Sequence, residues 1–582
     1  MSGKNEFIIR IGGAAGDGVA SAGETFGKIC SRLGLYVHGL NFYQSVIRGG
    51  LVGWNIRASN RPIKSQGQGI DFLIALTTLA ANTYGRELQP GGLLIYDEKK
   101  VKPNAEDLPK DINLCPLPLI ETAKEFGRRM TILQNTVAIG AVLKVLNIES
   151  GYFNEMLREQ FQKKGEEIIK INLGAAERGY QLGSGLPLFQ HSVQFGGSPR
   201  MFISGNQAIG LGAMAAGLQY YAAYPMTPAT SILHFLAAHA NEYRMVVKQV
   251  EDELGVVNST IGASFAGVKA MCGTSGGGFA LMTEAIGFAG MIETPLVVVT
   301  SMRGGPSTGL PTKTEQGDLN QVFGASQGDF PKAIFAPLNV ADAYDTIVEA
   351  LNLAERYQIP IIVMSDLYLS EHYETIEEVN LEPEVYERLA PNGQNDYLRY
   401  KSDTENGVSP RSIPGESGYE FIAGSDEHDE KGDLISDVRA GLPEQFIIRK
   451  QMMEKRGRKL EFLGRELRPP ETYGPPNSEI TIIGWGSSTG AIQEAVDILN
   501  SNGVRVNSLH IRSIVPFNKD KLANFLQNAK KIVIVEGNYS GQMKRHISAE
   551  TSIKIDYSYN KYDGDYLSPK EIVDFVKQEV LE

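Results

Sequence analysis

Three places in the sequence combine residue types that could do chemistry. Tyr224-Pro225-Met226-Thr227-Pro228 is a rigid turn that delivers a hydroxyl at a helix start. Glu253 is an acid at a strand-to-helix junction, with Glu251 and Asp252 as close rivals. Arg303 opens the run Gly304-Gly305-Pro306-Ser307-Thr308-Gly309-Leu310-Pro311-Thr312, a loop that holds a cation and several hydroxyls after an apolar stretch. A fourth run, Gly12-Gly13-Ala14-Ala15-Gly16-Asp17-Gly18, reads as a glycine loop between a strand and a helix, a place where backbone amides accept phosphate.

The elements that must hold these residues alternate in type. Apolar runs of strand length, such as Phe72-Leu73-Ile74-Ala75-Leu76 and Leu93-Leu94-Ile95-Tyr96, alternate with helical periodicity, which is the α/β signature. From Ile203 to Asp366 the alternation is clearest. Thr227 is an expected N-cap, with Pro228 in the first helical position. A strand at Met245-Val246-Val247 leads to Glu253, and a helix follows with Val256, Val257, Ile261 and Phe265 on its buried stripe. A strand from Val268 to Met271 ends in Gly273-Thr274-Ser275-Gly276-Gly277-Gly278, and a strand from Pro295 to Thr300 ends at Arg303. In a parallel sheet the loops leaving the carboxyl ends of the strands line the ligand crevice, so the three features of this region are expected on one edge.

The 582 residues exceed one hydrophobic core and imply several domains. The expected division is an α/β domain over 1–185, a Gly/Ser/Pro-rich linker over 186–199, an α/β domain over 200–375, a polar connecting region over 376–475, and an α/β domain over 476–582. A formal net charge of −12 argues against a nucleic-acid binder. No apolar run approaches the roughly 18 residues that span a bilayer, and the first residues show no secretory h-region; cytoplasm is the expected location. Cys30, Cys115 and Cys272 are far apart and form no CxxC. A cluster normally takes four thiolates, which this chain does not supply alone.

In combination these runs resemble the alpha subunit of the 2-oxoacid:ferredoxin oxidoreductases, in the form with a gamma domain fused ahead of it. The family's Tyr-Pro-Ile-Thr-Pro stands as Tyr224-Pro225-Met226-Thr227-Pro228, with Met in place of Ile, and the loop from Arg303 to Thr312 matches throughout. Ser409-Pro410-Arg411 and Glu427-His428-Asp429-Glu430 also look like family segments, and the likeness covers nearly the whole chain.

The resemblance implies a multidomain α/β fold. Its parts would be a gamma-type domain, a transketolase-like domain facing the pyrimidine of thiamine diphosphate, and a transketolase C-terminal-like domain. In the last, Gly484-Trp485-Gly486-Ser487-Ser488 and Glu536-Gly537-Asn538-Tyr539-Ser540-Gly541-Gln542 carry the likeness.

It also implies oxidative decarboxylation of a 2-oxoacid with coenzyme A, giving acyl-CoA and CO2 and reducing ferredoxin; pyruvate, 2-oxoglutarate or a broad range of 2-oxoacids all fit. By similarity Glu253 is the acid that protonates the aminopyrimidine, and Tyr224 and Pro225 line the cofactor. Arg303 and Thr312 hold the substrate carboxylate, and Thr227 offers a hydroxyl to substrate or intermediate. A guanidinium fork suits a carboxylate in a way that lysine does not copy. A smaller beta subunit would supply the diphosphate–magnesium half of the site and the [4Fe–4S] cluster, in an αβ or (αβ)2 heteromer, with no metal ligand on this chain.

Each assignment has a plainer competitor. Glu253 could be an acid favoured at a helix N-terminus, an effect of about 0.3–1 kcal/mol. Arg303 could sit in a surface ion pair, and Thr227 could be an N-cap only. Gly16-Asp17-Gly18 with Asn41 imitates a magnesium–diphosphate signature. The preferred reading is instead that Gly12, Gly13 and Gly16 belong to a nucleotide-type loop, a candidate place for coenzyme A. Arg48-Gly49-Gly50 reads as a structural turn, and Glu427-His428-Asp429-Glu430 as a solvated loop. The functional alternatives are a non-catalytic assembly subunit and a self-contained thiamine-diphosphate lyase.

Overall fold

The computed structural model describes residues 5–45, 49–127, 131–393, 397–435 and 443–582. The chain folds into two compact units. One comprises Met1–Ser204 with Glu371–Glu378, the other Gly205–Ser370 with Val379–Glu582.

The first unit is built on an eight-stranded sheet centred on Glu6–Ala15. To one side Ile70–Ala75, Leu88–Asp97 and Asn113–Leu117 run parallel to it. To the other, Gly49–Ser59, Tyr36–Phe42, Tyr373–Ile376 and Met201–Ser204 follow in antiparallel succession. Its core gathers Phe7, Ile9, Phe26, Trp54 and Phe72 with the buried face of the helix Gln134–Val145.

Two features of this unit depart from the sequence expectation. The opening strand continues through Gly12 and Gly13 to Ala15 instead of ending at Ile11. A Cβ on Gly12 would lie 2.7 Å from the Tyr84 ring, so this glycine makes room for an aromatic side chain. The strand Tyr373–Ile376 returns from far along the chain to pair with Met201–Ser204, a long-range pairing that periodicity does not reveal. Residues 186–199 pack on this unit, with the Phe189 ring centroid 4.6 Å from that of Phe72.

The second unit carries a seven-stranded sheet. Its order is Ser513–Val515, Ala333–Phe335, Pro360–Asp366, Leu296–Met302, Ala270–Thr274, Tyr220–Ala223, Val246–Gln249. All neighbours are parallel except the edge strand Ser513–Val515. A five-stranded sheet, built around Ile480–Trp485, shares one apolar core with it. Ile483, Trp485 and Leu509 pack in the same cluster as Val298, Ile334 and Ile362.

The polar stretch 376–475 is more than a connection. It contains the helix Pro443–Glu466, and Arg399, Arg411, Lys455 and Lys459 are buried. Lys455 donates to Glu293 at 2.6 and 2.8 Å, Lys459 reaches the same carboxylate, and Arg411 meets Glu355 at 2.7 Å. The composition looks solvent-facing because these charges are neutralised inside the protein rather than by water.

The run Glu427-His428-Asp429-Glu430 belongs to the same correction. His428 is buried against Tyr400, with ring centroids 3.9 Å apart, and Glu427 pairs with Arg456 at 2.8 Å. It is a tied-down structural segment and not a solvated loop.

Candidate active site

Four neighbouring parallel strands of the second unit place the site. Leu296–Met302, Ala270–Thr274, Tyr220–Ala223 and Val246–Gln249 lie side by side, so their carboxyl ends share one edge. From that edge leave, in the same order, Arg303, the glycines 276–278, the turn 224–228 and the acids 251–253. This is the crevice where ligands of open parallel sheets bind.

Glu253 is the first residue of the helix Glu253–Phe265 and only 4% exposed. Its rivals separate from it. The Asp252 carboxylate accepts from Gly255 N at 2.7 Å as the N-cap, and Glu251 is exposed. Glu253 Oε1 is buried with no hydrogen-bond partner in the structure. Such a group costs stability unless something else satisfies it. It faces the start of the helix Gly276–Met291: a Cβ on Gly278 would lie 2.4 Å from Glu253 Oε1 and 2.1 Å from Thr274 Oγ1. Only glycine at 278 lets the carboxyl and the hydroxyl pack this closely.

The turn at 224–228 differs from expectation in one respect. The helix begins at Thr230, its N-cap is Ala229, and no side chain caps it. Thr227 is therefore not the N-cap, because residues 227–229 form a separate turn whose geometry holds Thr230 N on Met226 O at 3.2 Å. Thr227 contributes its carbonyl oxygen instead, which accepts from Arg303 Nη1 at 2.8 Å. Tyr224 is 37% exposed and Pro225 partly so.

The loop after Arg303 closes on itself. Gly304 N donates to Lys313 O at 3.0 Å and Leu310 N to Gly304 O at 2.8 Å, leaving Thr312 half-buried beside Lys313. Arg303 thus ties its own loop to the turn two strands away.

Sequence reasoning assigned nothing to Asp318, Thr274, Gly276 or Gly278, although the glycine run itself was visible. A Cβ on Gly276 would lie 2.2 Å from Asp318 Oδ2, an oxygen that is buried and has no hydrogen-bond partner. Burial pushes the Asp318 carboxyl up to about 6, with Arg303 acting in the opposite direction. Two unsatisfied carboxyl oxygens therefore face the glycines that open one helix. Nothing in the sequence singled out Asp318, because its importance comes from where its chain segment passes.

Gly12, Gly13 and Gly16 belong to the first unit. Gly12 and Gly13 are strand residues, and Gly16 stands in the turn with a φ of +100° and open space beside it. The Asp17 carboxylate is held by Ala14 N at 2.9 Å, and the helix Val19–Arg32 starts from Gly18 without a side-chain cap. A cavity of about 370 Å³ touches Gly18, Thr25 and Asn135 but none of Gly12, Gly13 or Gly16. Arg48 lies outside the described residues.

An acid with an unsatisfied buried oxygen, packed against a glycine at the carboxyl edge of a parallel sheet, fits a ring nitrogen of a bound cofactor. Comparison with known proteins bears on the chain as a whole. Residues 211–441 match the family of pyruvate flavodoxin/ferredoxin oxidoreductase thiamine-diphosphate-binding domains. Residues 8–182 match pyruvate ferredoxin/flavodoxin oxidoreductase, and residues 478–572 match core domain II of pyruvate:ferredoxin oxidoreductase. A 2-oxoacid:ferredoxin oxidoreductase subunit alpha from a Sulfolobus species is 32% identical, over 95% of this chain and 94% of its own length. The 2-oxoglutarate oxidoreductase subunit KorA of Mycobacterium tuberculosis is 29% identical over 98% of this chain and 91% of its own. The solved 2-oxoglutarate:ferredoxin oxidoreductase from Magnetococcus marinus, with 2-oxoglutarate, coenzyme A and succinyl-CoA bound, is 34% identical. It superposes with a TM-score of 0.91, covering 99% of this chain and 100% of that one. Motifs, geometry and full-length similarity converge: this chain belongs to the alpha-subunit family of the 2-oxoacid:ferredoxin oxidoreductases.

Proposed function

We propose that this chain is the subunit that holds the pyrimidine-facing and substrate-carboxylate half of a 2-oxoacid:ferredoxin oxidoreductase. The reaction converts a 2-oxoacid and coenzyme A to acyl-CoA and CO2 and delivers the electrons to ferredoxin. The observation that carries the reading is the unsatisfied Glu253 Oε1 facing Gly278. When bound, thiamine diphosphate supplies the nucleophilic carbon. Glu253 holds and shares a proton at Oε1 with a ring nitrogen, a role in which a fixed acid accelerates proton movement. Tyr224 and Pro225 border the space, Arg303 takes the substrate carboxylate with Thr312, and the Thr227 hydroxyl orients the substrate. Arg303 is suited to this because its bond to Thr227 O fixes the guanidinium plane.

The remaining parts are assigned to a smaller beta subunit: magnesium, the diphosphate half and the [4Fe–4S] cluster, in an αβ or (αβ)2 complex. The cysteines support this. All three are buried, and burial pushes the thiols of Cys115 and Cys272 up to about 11 and about 12, far from the thiolate form that binds iron. The net charge of −12 opposes docking of an acidic ferredoxin, so its face lies on the partner subunit. No helix among the described residues is long and apolar enough to cross a membrane, which suits an enzyme of the cytoplasm.

The relatives named for 2-oxoglutarate make that acid the first substrate to try. Coenzyme A is assigned to the first unit at the run 12–18 (Gly12, Gly13 and Gly16), where the uncapped helix start favours an anion. The test is coenzyme-A-dependent reduction of a viologen dye, with and without the co-expressed partner, across a panel of 2-oxoacids. Turnover only with the partner supports the split site. Turnover by this chain alone contradicts it.

A further inference from the structure

We propose that Asp318 is a positioning residue of this site, one that sets how strongly Arg303 holds the substrate carboxylate. The inference rests on the reading of Arg303 as that clamp and adds a second group to it.

The placement of Asp318 is specific. It precedes the short helix Leu319–Phe323 but does not cap it: no backbone N–H of that helix bonds its side chain. The carboxyl turns instead toward the first residue of the helix Gly276–Met291, so closely that a Cβ on Gly276 would fall 2.2 Å from Oδ2. That oxygen is buried and has no hydrogen-bond partner. A carboxylate oxygen left in this state loses its hydration without gaining a bond. Two nearby positive influences offset part of that loss, the N-terminal end of the glycine helix and the Arg303 guanidinium, which follows Leu296–Met302, the parallel neighbour of the strand that leads into Gly276. The same guanidinium is the proposed partner of the substrate carboxylate. Two anions therefore share one cation, and the charge on Asp318 weakens the attraction that remains for the substrate.

The arrangement explains why the helix opens with glycine at 276 as well as at 278. Gly278 leaves room for Glu253, and Gly276 leaves room for Asp318. Glu315, ahead of the same short helix, lies within electrostatic range of Asp318. Its own carboxyl is raised first by burial and then by Asp318. Arg303 thus acts on a protein acid as well as on the proposed substrate carboxylate.

The test uses the complex assembled with its partner at pH 8 and compares the parent with Asp318→Asn, with Asp318→Ser as a second variant of smaller side chain. Steady-state kinetics give KM and kcat for the 2-oxoacid. Competitive inhibition by the matching uncharged 2-oxoamide gives the affinity for a neutral analogue. Removing the charge is expected to lower KM for the 2-oxoacid about fivefold, with kcat within about twofold and the affinity for the amide unchanged. A KM that does not move, or one that shifts together with the amide affinity, overturns the proposal, because a purely structural role would affect both ligands alike. Arg303→Lys, measured alongside, separates the two levels. If it leaves KM unaltered, the clamp reading itself fails; if it raises KM while both Asp318 variants match the parent, only the role of Asp318 falls.

Discussion

Glu253 Oε1 and Gly278 stand so close that any side chain at 278 would enter the space beside the acid: an added Cβ would lie 2.4 Å from the oxygen. Gly278→Ala is therefore expected to displace the carboxyl while leaving the helix Gly276–Met291 able to form, since alanine is the better helix former. A displacement of about 1 Å in a catalytic group typically costs about 100-fold in rate. The check is turnover of the assembled variant beside its circular dichroism. Normal spectra with turnover reduced to about 1% are expected.

Arg303→Lys should retain the charge but lose the planar fork and its bond to Thr227 O. KM for the 2-oxoacid is expected to rise about tenfold, a difference of ~1.4 kcal/mol in binding. The far ends of longer 2-oxoacids should matter little, so the factor is expected to be similar across a panel of substrates.

The Asp318 carboxyl, pushed up to about 6, predicts a pH dependence whose sign follows from its charge. Below pH 6 the group is protonated and Arg303 attracts the substrate fully; above it the carboxylate competes. KM for the 2-oxoacid should therefore rise between about pH 5 and 7 and level off, and Asp318→Asn should remain at the low value throughout. Arg303 acts on Asp318, Asp318 in turn raises the Glu315 carboxyl, and Glu253 lies farther along the same glycine run. Initial rates at fixed ionic strength across this range provide the check.

Stability has its own focus at Glu293. This fully buried carboxylate is held ionised, against a strong burial effect, by Lys455, Lys459 and Arg399. Glu293→Gln would leave two buried lysines without their anion. Breaking a buried pair on one side costs about 3–5 kcal/mol. The expected result is a marked fall in the denaturant midpoint of the isolated chain.

Much of this was legible in the sequence, and the exceptions are instructive. The strand runs at 245–247 and 295–300 and the features that follow them could be read from apolar runs and loop composition; Leu296–Met302, buried along its whole length, carries the near-continuous apolar signature of a parallel strand covered on both faces. The helix after Glu253 was readable from its stripe. What failed depended on distant segments. The strand Tyr373–Ile376 exists because it pairs with Met201–Ser204. The buried charges of 376–475 look like surface until Glu293, Glu355 and Glu427 are placed beside them. Gly12 reads as a loop glycine until Tyr84 is seen against it. Thr227 has the type and spacing of an N-cap, yet the helix starts three residues later. Asp318 shows no local pattern, and only its position opposite Gly276 reveals it.

The most direct test of the central claim is Glu253→Gln in the complex reconstituted with the partner subunit, assayed by coenzyme-A-dependent reduction of a viologen dye. The amide keeps the size of the side chain and removes the acid. Turnover is expected to fall by about 10²- to 10⁴-fold, with the complex still assembled. Turnover within a few-fold of the parent would contradict the account and leave this chain as a scaffold for chemistry carried elsewhere.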